Sequence, residues 1–278
     1  MDSKYLFSDN PNVVGGALSK FIQDDKLSQA KNKAREGQRY YDYQHDILKN
    51  RIFYLDDNDT LQEDEHASKI KIPHPYFTEL VDQKVQYLLS NPVEIEVEDE
   101  KFQEHLNQYY NEDLQLFLQE ILEGASVKGF EYAYARTNNH DVLCFQVSDS
   151  LNTFEIFDND GERAAVVRYY NKDITRDGKN TTVEHAEVWD DEKVTFYVKD
   201  KNGRFILDPK REENPRAHIV AVTDDGQMLE RDYGTIPFYQ LGNNKKNQTD
   251  LEPIKALIDD YDLMNAFLSN NLQDFEGI

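Results

Sequence analysis

Residues 250–278 read DLEPIKALIDDYDLMNAFLSNNLQDFEGI, and this stretch sets the frame for the rest. Asp250 is a helix-capping residue type, and Pro253 falls in the first turn, where a missing N–H costs nothing. From there Leu251, Ile254, Ile258, Tyr261, Asn265, Leu268, Leu272 and Phe275 recur at alternating steps of three and four. That is a heptad seam with one polar interruption, Asn265, the kind of position that fixes register at some cost in stability. Twenty-five helical residues extend roughly 37 Å at about 1.5 Å each. A rod of that length suits packing against other long helices better than folding back on a small sheet.

Upstream, residues 130–241 have the texture of strands separated by turns. The expected strands are 130–136, 142–147, 153–157, 164–170, 183–189, 194–198 and 218–222. Between them stand the turn pairs Asn138-Asn139, Asp160-Gly161, Asp177-Gly178, Asn202-Gly203 and Asp225-Gly226. The pattern predicts an antiparallel meander, and strands do not alternate with helices as a doubly wound dinucleotide fold requires. Two helical stripes precede it and are expected to cover one face. One is Phe77, Leu80, Val81, Val85, Leu88 and Leu89, ended by Pro92; the other is Leu114, Phe117, Leu118, Ile121, Leu122 and Ala125. Between these helices Val93, Ile95 and Val97 alternate with Glu94, Glu96 and Glu98, the period-2 pattern of a half-exposed strand.

The N-terminal part reads as a loose arm to residue 16, then helical from Ala17. Residues 26–51 are locally basic, with seven Lys and Arg against three acids, and contain Tyr40, Tyr41 and Tyr43. Such a stretch is either a phosphate-contacting helix with stacking aromatics or a solvated helix whose tyrosines pack inward; the second is the expectation. Residues 56–65 carry six acids and no base, the composition of a solvated loop. The fold class expected is therefore α+β: an N-terminal arm and helices over 1–75, an α+β domain over 76–245, and a long heptad helix over 246–278.

Composition narrows the function. The 278 residues carry 54 acids and 31 bases, a formal charge of −23, with 38% hydrophobic and 12% aromatic residues. That is enough to build a core, whereas a surface so acidic disfavours general nucleic-acid binding, which needs clustered Lys and Arg. The single cysteine, Cys144, excludes an intramolecular disulfide and a thiolate metal site, and fits a reducing compartment. No apolar run exceeds four residues, short of the roughly 20 that span a bilayer, and the first residues lack a signal-peptide pattern. A soluble, intracellular protein with no membrane partner is expected.

Catalytic signatures are missing. The seven histidines include no i, i+4 pair, and there is no phosphate-binding glycine loop, dinucleotide fingerprint or nucleophile elbow. Asp158-Asn159-Asp160-Gly161 lacks the glutamate that would complete a calcium loop, since position 167 is Val. Asp99-Glu100-Lys101 and Asp208-Pro209-Lys210 match the short half of a metal-dependent nuclease motif, but in so charged a chain such triplets arise by chance. No catalytic, metal or cofactor residue is assigned, and no enzyme is expected.

Two blocks carry a resemblance. Ile72-Pro73, Phe77, Leu80-Val81-Asp82, Lys84, Tyr87-Leu88-Leu89 and Pro92-Val93 resemble the N-terminal signature of portal proteins of tailed bacteriophages, in the group from phages and prophages of Gram-positive bacteria. Ile236-Pro237-Phe238, Asn243-Asn244, Asp250 to Ile254, Leu257-Ile258-Asp259, Tyr261-Asp262, Asn270, Leu272 and Asp274-Phe275 resemble its second signature. The resemblance spans about residues 70–278. It implies a ring, usually of twelve subunits, at one capsid vertex, through which a separate terminase drives double-stranded DNA. It also implies scaffolding and head-completion partners, and a path from host cytoplasm during assembly to the virion vertex. By that likeness 76–245 would be the outer wing, and the heptad residues of 246–278 a stem helix at the subunit interface. Clip, second stem helix and crown would be missing, so the chain is expected to be part of a longer one. A conduit surrounds DNA without holding it, and acidic walls suit that task. The rival readings are a metal-dependent nuclease using an acid-x-Lys triplet and a monomeric acidic adaptor.

Overall fold

The structure, a computed structural model, describes residues 3–64, 68–109, 111–137, 143–176, 179–222 and 228–276. Helices are α1 (Pro11–Leu27), α2 (Gln29–Tyr41), α3 (Tyr76–Leu88), α4 (Glu100–Asn107), α5 (Glu112–Lys128) and α6 (Lys255–Glu276). The first strands are β1 (Phe53–Leu55), β2 (Leu61–Glu63), β3 (Phe130–Thr137), β4 (Leu143–Ser148), β5 (Thr153–Phe157), β6 (Arg163–Arg176) and β7 (Lys179–Trp189). They continue with β8 (Lys193–Lys199), β9 (Phe205–Leu207), β10 (Arg216–Ala217), β11 (Ile219–Val222), β12 (Met228–Arg231) and β13 (Phe238–Gly242). All strand pairings are antiparallel, and the fold is α+β with a long C-terminal helix. The expected turns at 138–139, 177–178 and 225–226 fall outside the described residues.

The expected antiparallel meander forms over β5 to β9, but β3 and β4 do not belong to it. Strands β5 to β10 make a six-stranded sheet, whereas β3 sits between β4 and β13 in a separate three-stranded sheet. The division falls at the Asp149–Asn152 turn, where buried polar groups replace a ladder. The Ser150 N–H donates to Glu131 at 2.5 Å, its carbonyl accepts from Lys31, and Thr153 O accepts from Lys31 at 2.7 Å. Burial raises the Glu131 carboxyl and lowers the Lys31 ammonium. Burial also opposes charge on Lys128, but its partners Glu131 and Asp149 outweigh it and raise that lysine.

The helix covering the large sheet is also different from the one expected. Val14, Ala17, Leu18 and Ile22 of α1 pack on Ala165, Val167, Tyr169, Ala186, Val188 and Tyr197. The expected loose arm is therefore ordered from Ser3, with Leu6 buried and α1 starting at Pro11 behind an Asn10 cap. Gly15 allows this approach, because a Cβ there would collide with the Phe205 carbonyl oxygen. On the opposite face Val166, Trp189, Val194 and Phe196 meet Ile236 and Phe238. The period-2 alternation of β6 thus serves two cores, Ala165 and Val167 on one side and Val166 on the other.

Helix α3 does not cover the sheet. With α2, α5 and α6 it builds a third core of Tyr40, Phe77, Val81, Val85, Val127, Leu251 and Ile258. The basic 26–51 stretch divides at Ser28, whose extended backbone ends α1 and whose hydroxyl accepts from Lys31 N at 3.2 Å to cap α2. Three of its charges are used internally: Lys31 is buried, Lys33 pairs with Glu252, and Arg39 meets Asp46 at 2.8 Å; Tyr40 packs inward as expected, whereas Tyr43 is exposed.

Two more expectations are corrected. In the acidic stretch, residues 56–63 supply the turn and second strand of the β1–β2 hairpin, with Asp56 Oδ1 accepting from Asn58 N and Thr60 N at 2.9 Å. The segment expected as a strand at 93–97 pairs with no strand among the described residues. Among the described residues, Gln103 holds it, donating to Ile95 O and accepting from Val97 N, each at 2.9 Å. Alternation supplies two faces but not a neighbouring strand.

Candidate functional site

Helix α6 begins later than the sequence suggests. Thr249 N donates to Glu252 Oε1 and Glu252 N donates to Thr249 Oγ1, both at 3.2 Å, a reciprocal capping box. Residues 250–254 are turns and the α-helix starts at Lys255, so Asp250 is not the cap. Instead Asp250 accepts from Lys84 Nζ at 2.6 Å, from Asn243 Nδ2 at 2.8 Å and from the Ser126 hydroxyl. Burial works against its charge, but these donors prevail and hold the carboxyl below its ordinary value. Lys84 also donates to Asn243 Oδ1 at 2.6 Å.

The inward side of α6 is largely polar. Lys255 Nζ lies 2.7 Å from both Asp46 and Asp259, while Tyr40 OH donates to Asp259. Burial opposes charge on both Asp46 and Lys255. The lysine, Tyr40 and Arg39 nevertheless hold Asp46 down at about 2, and the Asp259, Asp46 and Tyr40 contacts raise Lys255. The Tyr40 hydroxyl is pushed up to about 12 by burial and by Asp259. One turn further, the fully buried Asp262 accepts from His45 Nδ1 at 2.6 Å, from His74 Nδ1 at 2.7 Å and from His74 N at 3.0 Å. The other His45 nitrogen, Nε2, faces Tyr40 O at 3.2 Å, so both sides of that ring meet acceptors. Beyond the buried Ala266, Asn270 Oδ1 accepts from Ile70 N at 2.7 Å and Asp274 Oδ1 accepts from Ser68 Oγ at 2.5 Å.

The heptad seam divides along this helix. Leu251 and Ile258 are buried in the third core, and Ile254 packs at its edge. Tyr261 sits edge-on to His74 and Tyr76, with centroids 4.8 and 5.1 Å apart, and Asn265 Nδ2 donates back to Tyr261 O at 2.9 Å. Leu268, Leu272 and Phe275 are 58%, 58% and 78% exposed. Leu257, Leu263, Met264 and Phe267, which the seam did not include, are exposed as well. Of the α3 residues, Phe77 and Val81 are buried, whereas Leu80, Tyr87 and Leu88 face solvent and Pro92 lies exposed past the helix end. Asp82 accepts from Tyr41 OH at 2.9 Å.

His45, His74 and Lys255 were missed from the sequence. The row Asp262, Ala266, Asn270 and Asp274, spaced by four, was the available signal that α6 turns polar and small side chains inward. Neither acid-x-Lys triplet forms a metal site. Asp99 caps α4 through Lys101 N and Phe102 N, and Asp208 accepts from Lys210 N in a tight turn. Among the described residues no cluster of three or more His, Cys, Asp or Glu is placed to hold a metal.

The family model "Phage portal protein, SPP1 Gp6-like" matches residues 20–278. The chain belongs to this portal family. It is 28% identical over 247 residues to the portal protein of Bacillus phage SPP1, covering 87% of this chain and 47% of that protein. It is 23% identical over 270 residues to the portal protein of Clostridium phage phiCD119, covering 84% and 53%. The chain therefore spans about half the length of these curated relatives. In this portal-family chain the two blocks of resemblance touch. Lys84 of the first bonds Asn243 and Asp250 of the second, and Pro73 precedes His74, which meets Asp262. No described helix is long and apolar enough to cross a membrane.

Proposed function

We propose that this chain is the wing and first stem helix of a portal subunit, a structural component of the ring through which double-stranded DNA enters and leaves a phage capsid. The observation that carries the proposal is α6 past Ile258: Asp262 and Asn270 turn to the body while Leu263, Met264, Phe267, Leu268, Leu272 and Phe275 turn out, so its free face is built to meet other helices. In this reading 76–245 is the wing, 246–278 the stem helix, and Leu268, Leu272 and Phe275 meet a neighbouring subunit. Leu251, Ile254 and Ile258 belong to the chain's own core and fix the helix rather than join subunits. Terminase, scaffolding and head-completion proteins would act on the assembled ring, formed in the host cytoplasm and retained at the virion vertex.

Light scattering and native mass spectrometry test the assembly. Leu268→Glu with Leu272→Glu is expected to weaken self-association while leaving the unfolding midpoint within about 1 °C, because exposed substitutions cost little. Equal assembly by the double variant would overturn the role given to α6. The wall is expected to leave DNA mobile. A 20-bp duplex bound more tightly than about 1 µM at ~150 mM salt, with a steep salt slope, would contradict that function. The nuclease alternative receives no support from the geometry of either triplet.

A further inference from the structure

Two parts of the chain have strand chemistry and lack a strand partner. Val93, Ile95 and Val97 alternate with Glu94, Glu96 and Glu98 in a segment outside every sheet of the described residues, with Val93 40% and Ile95 51% exposed. Separately, β6 and β7 outrun their sheet. Strand β5 pairs with β6 only as far as Arg168, and β8 pairs with β7 only from His185. Among the described residues, from Asn171 to Arg176 and from Lys179 to Glu184 the two strands pair only with each other. Six residues at about 3.3 Å each make an arm of roughly 20 Å. A two-stranded ribbon of this kind is marginal in water unless something packs on it.

The arm has a sided chemistry. Register pairs Lys172 with Val183 and Ile174 with Thr181, placing these four on one face, and the closing pair Arg176–Lys179 has the same parity. Asn171, Asp173, Thr175, Asn180, Thr182 and Glu184 have the opposite parity. Three bases thus share one parity of an arm in a chain of net charge −23. Along β6 the bases Lys172 and Arg176 are four residues apart, as are Glu94 and Glu98 in the unpaired segment.

We infer that residues 93–98 of one copy add as a strand to the free outer edge of β6 in the arm of a second copy. Glu94 and Glu98 would then stand beside Lys172 and Arg176, and Glu96 beside Ile174. Parallel addition would use main-chain groups of Glu94 and Glu96 and leave the Gln103 bonds to Ile95 O and Val97 N in place, and the charges select the partner. Each copy offers one segment and one arm, so the contact is heterologous and can propagate around a ring. The inference rests on the portal reading only for the existence of that assembly.

A Glu96→Cys chain mixed with an Ile174→Cys chain, both carrying Cys144→Ser, tests it. Positions 96 and 174 face each other in that parallel register, with Glu94 and Glu98 beside the two bases. Oxidation is expected to give an interchain disulfide in the mixture that neither variant gives with the Cys144→Ser chain. Glu94→Lys with Glu98→Lys is expected to weaken association about tenfold, and Lys172→Glu with Arg176→Glu in the same chain to restore it. Circular dichroism of each variant confirms that it folds. Oligomers that form without the disulfide, or that ignore the charge reversal, overturn this contact and leave the portal reading standing. A strict monomer at about 100 µM overturns both the contact and self-assembly of this chain.

Discussion

Replacing Asp262 by alanine tests the claim that a buried carboxylate, more than apolar packing, secures the middle of α6. The side chain is fully buried and accepts three hydrogen bonds, from His45 Nδ1, His74 Nδ1 and His74 N. Truncation leaves those donors without an acceptor. His74 is 23% exposed at its side chain, so water can serve its ring, but the His45 ring is fully buried. Stranding buried donors costs about 1–3 kcal/mol each, so the three together come to about 3–5 kcal/mol once water serves the His74 ring. With roughly 2 cal/mol/K of unfolding entropy per residue, a loss of that size lowers the midpoint by about 5–9 °C. Thermal unfolding followed by circular dichroism measures it, and a urea titration gives the free energy independently. Asp262→Asn keeps one acceptor oxygen and is expected to lose less, about 1–3 kcal/mol. A loss below about 1 kcal/mol for Asp262→Ala would refute that role of the carboxylate and assign the holding of α6 to Leu251 and Ile258.

The paired glycines of α1 give a sharper steric test. Gly15→Ala should cost about 1–3 kcal/mol, because its Cβ meets the Phe205 backbone. Gly16→Ala, with open space around its Cβ, should stabilise by about 0.5–1 kcal/mol, and urea midpoints distinguish the two. Asp250 has a lowered folded pKa, so its stabilisation is present above the unfolded value of 3.8 and is lost as pH falls through the folded value below that. Asp250→Asn should therefore cost about 1 kcal/mol at neutral pH, discounted for partial exposure, with the gap closing in acid below 3.8. Mg²⁺ with supercoiled plasmid should yield no cleavage attributable to Lys101 or Lys210; activity abolished by either alanine variant would restore the nuclease reading.

Much of this architecture was legible one segment at a time. The apolar stripes gave α3 and α5, alternation bounded by Asp-Gly and Asn-Gly turns gave β5 through β8, and the 3–4 spacing gave the long helix. These follow from local chemistry, since helical and extended backbones repeat their side chains at fixed intervals. What stayed hidden were choices of partner. The sequence could not say that β3 pairs with β13 across a hundred residues, that α1 covers the large sheet, or that 93–97 finds no strand beside it. Nor could it say which half of the α6 seam turns inward. Leu251 and Ile258 meet the body and Leu268 and Phe275 do not, because past Ile258 the body offers His45, His74 and backbone donors to Asp262, Asn270 and Asp274. Periodicity fixes which residues share a face, and only the surface across from that face decides whether burying it is favourable.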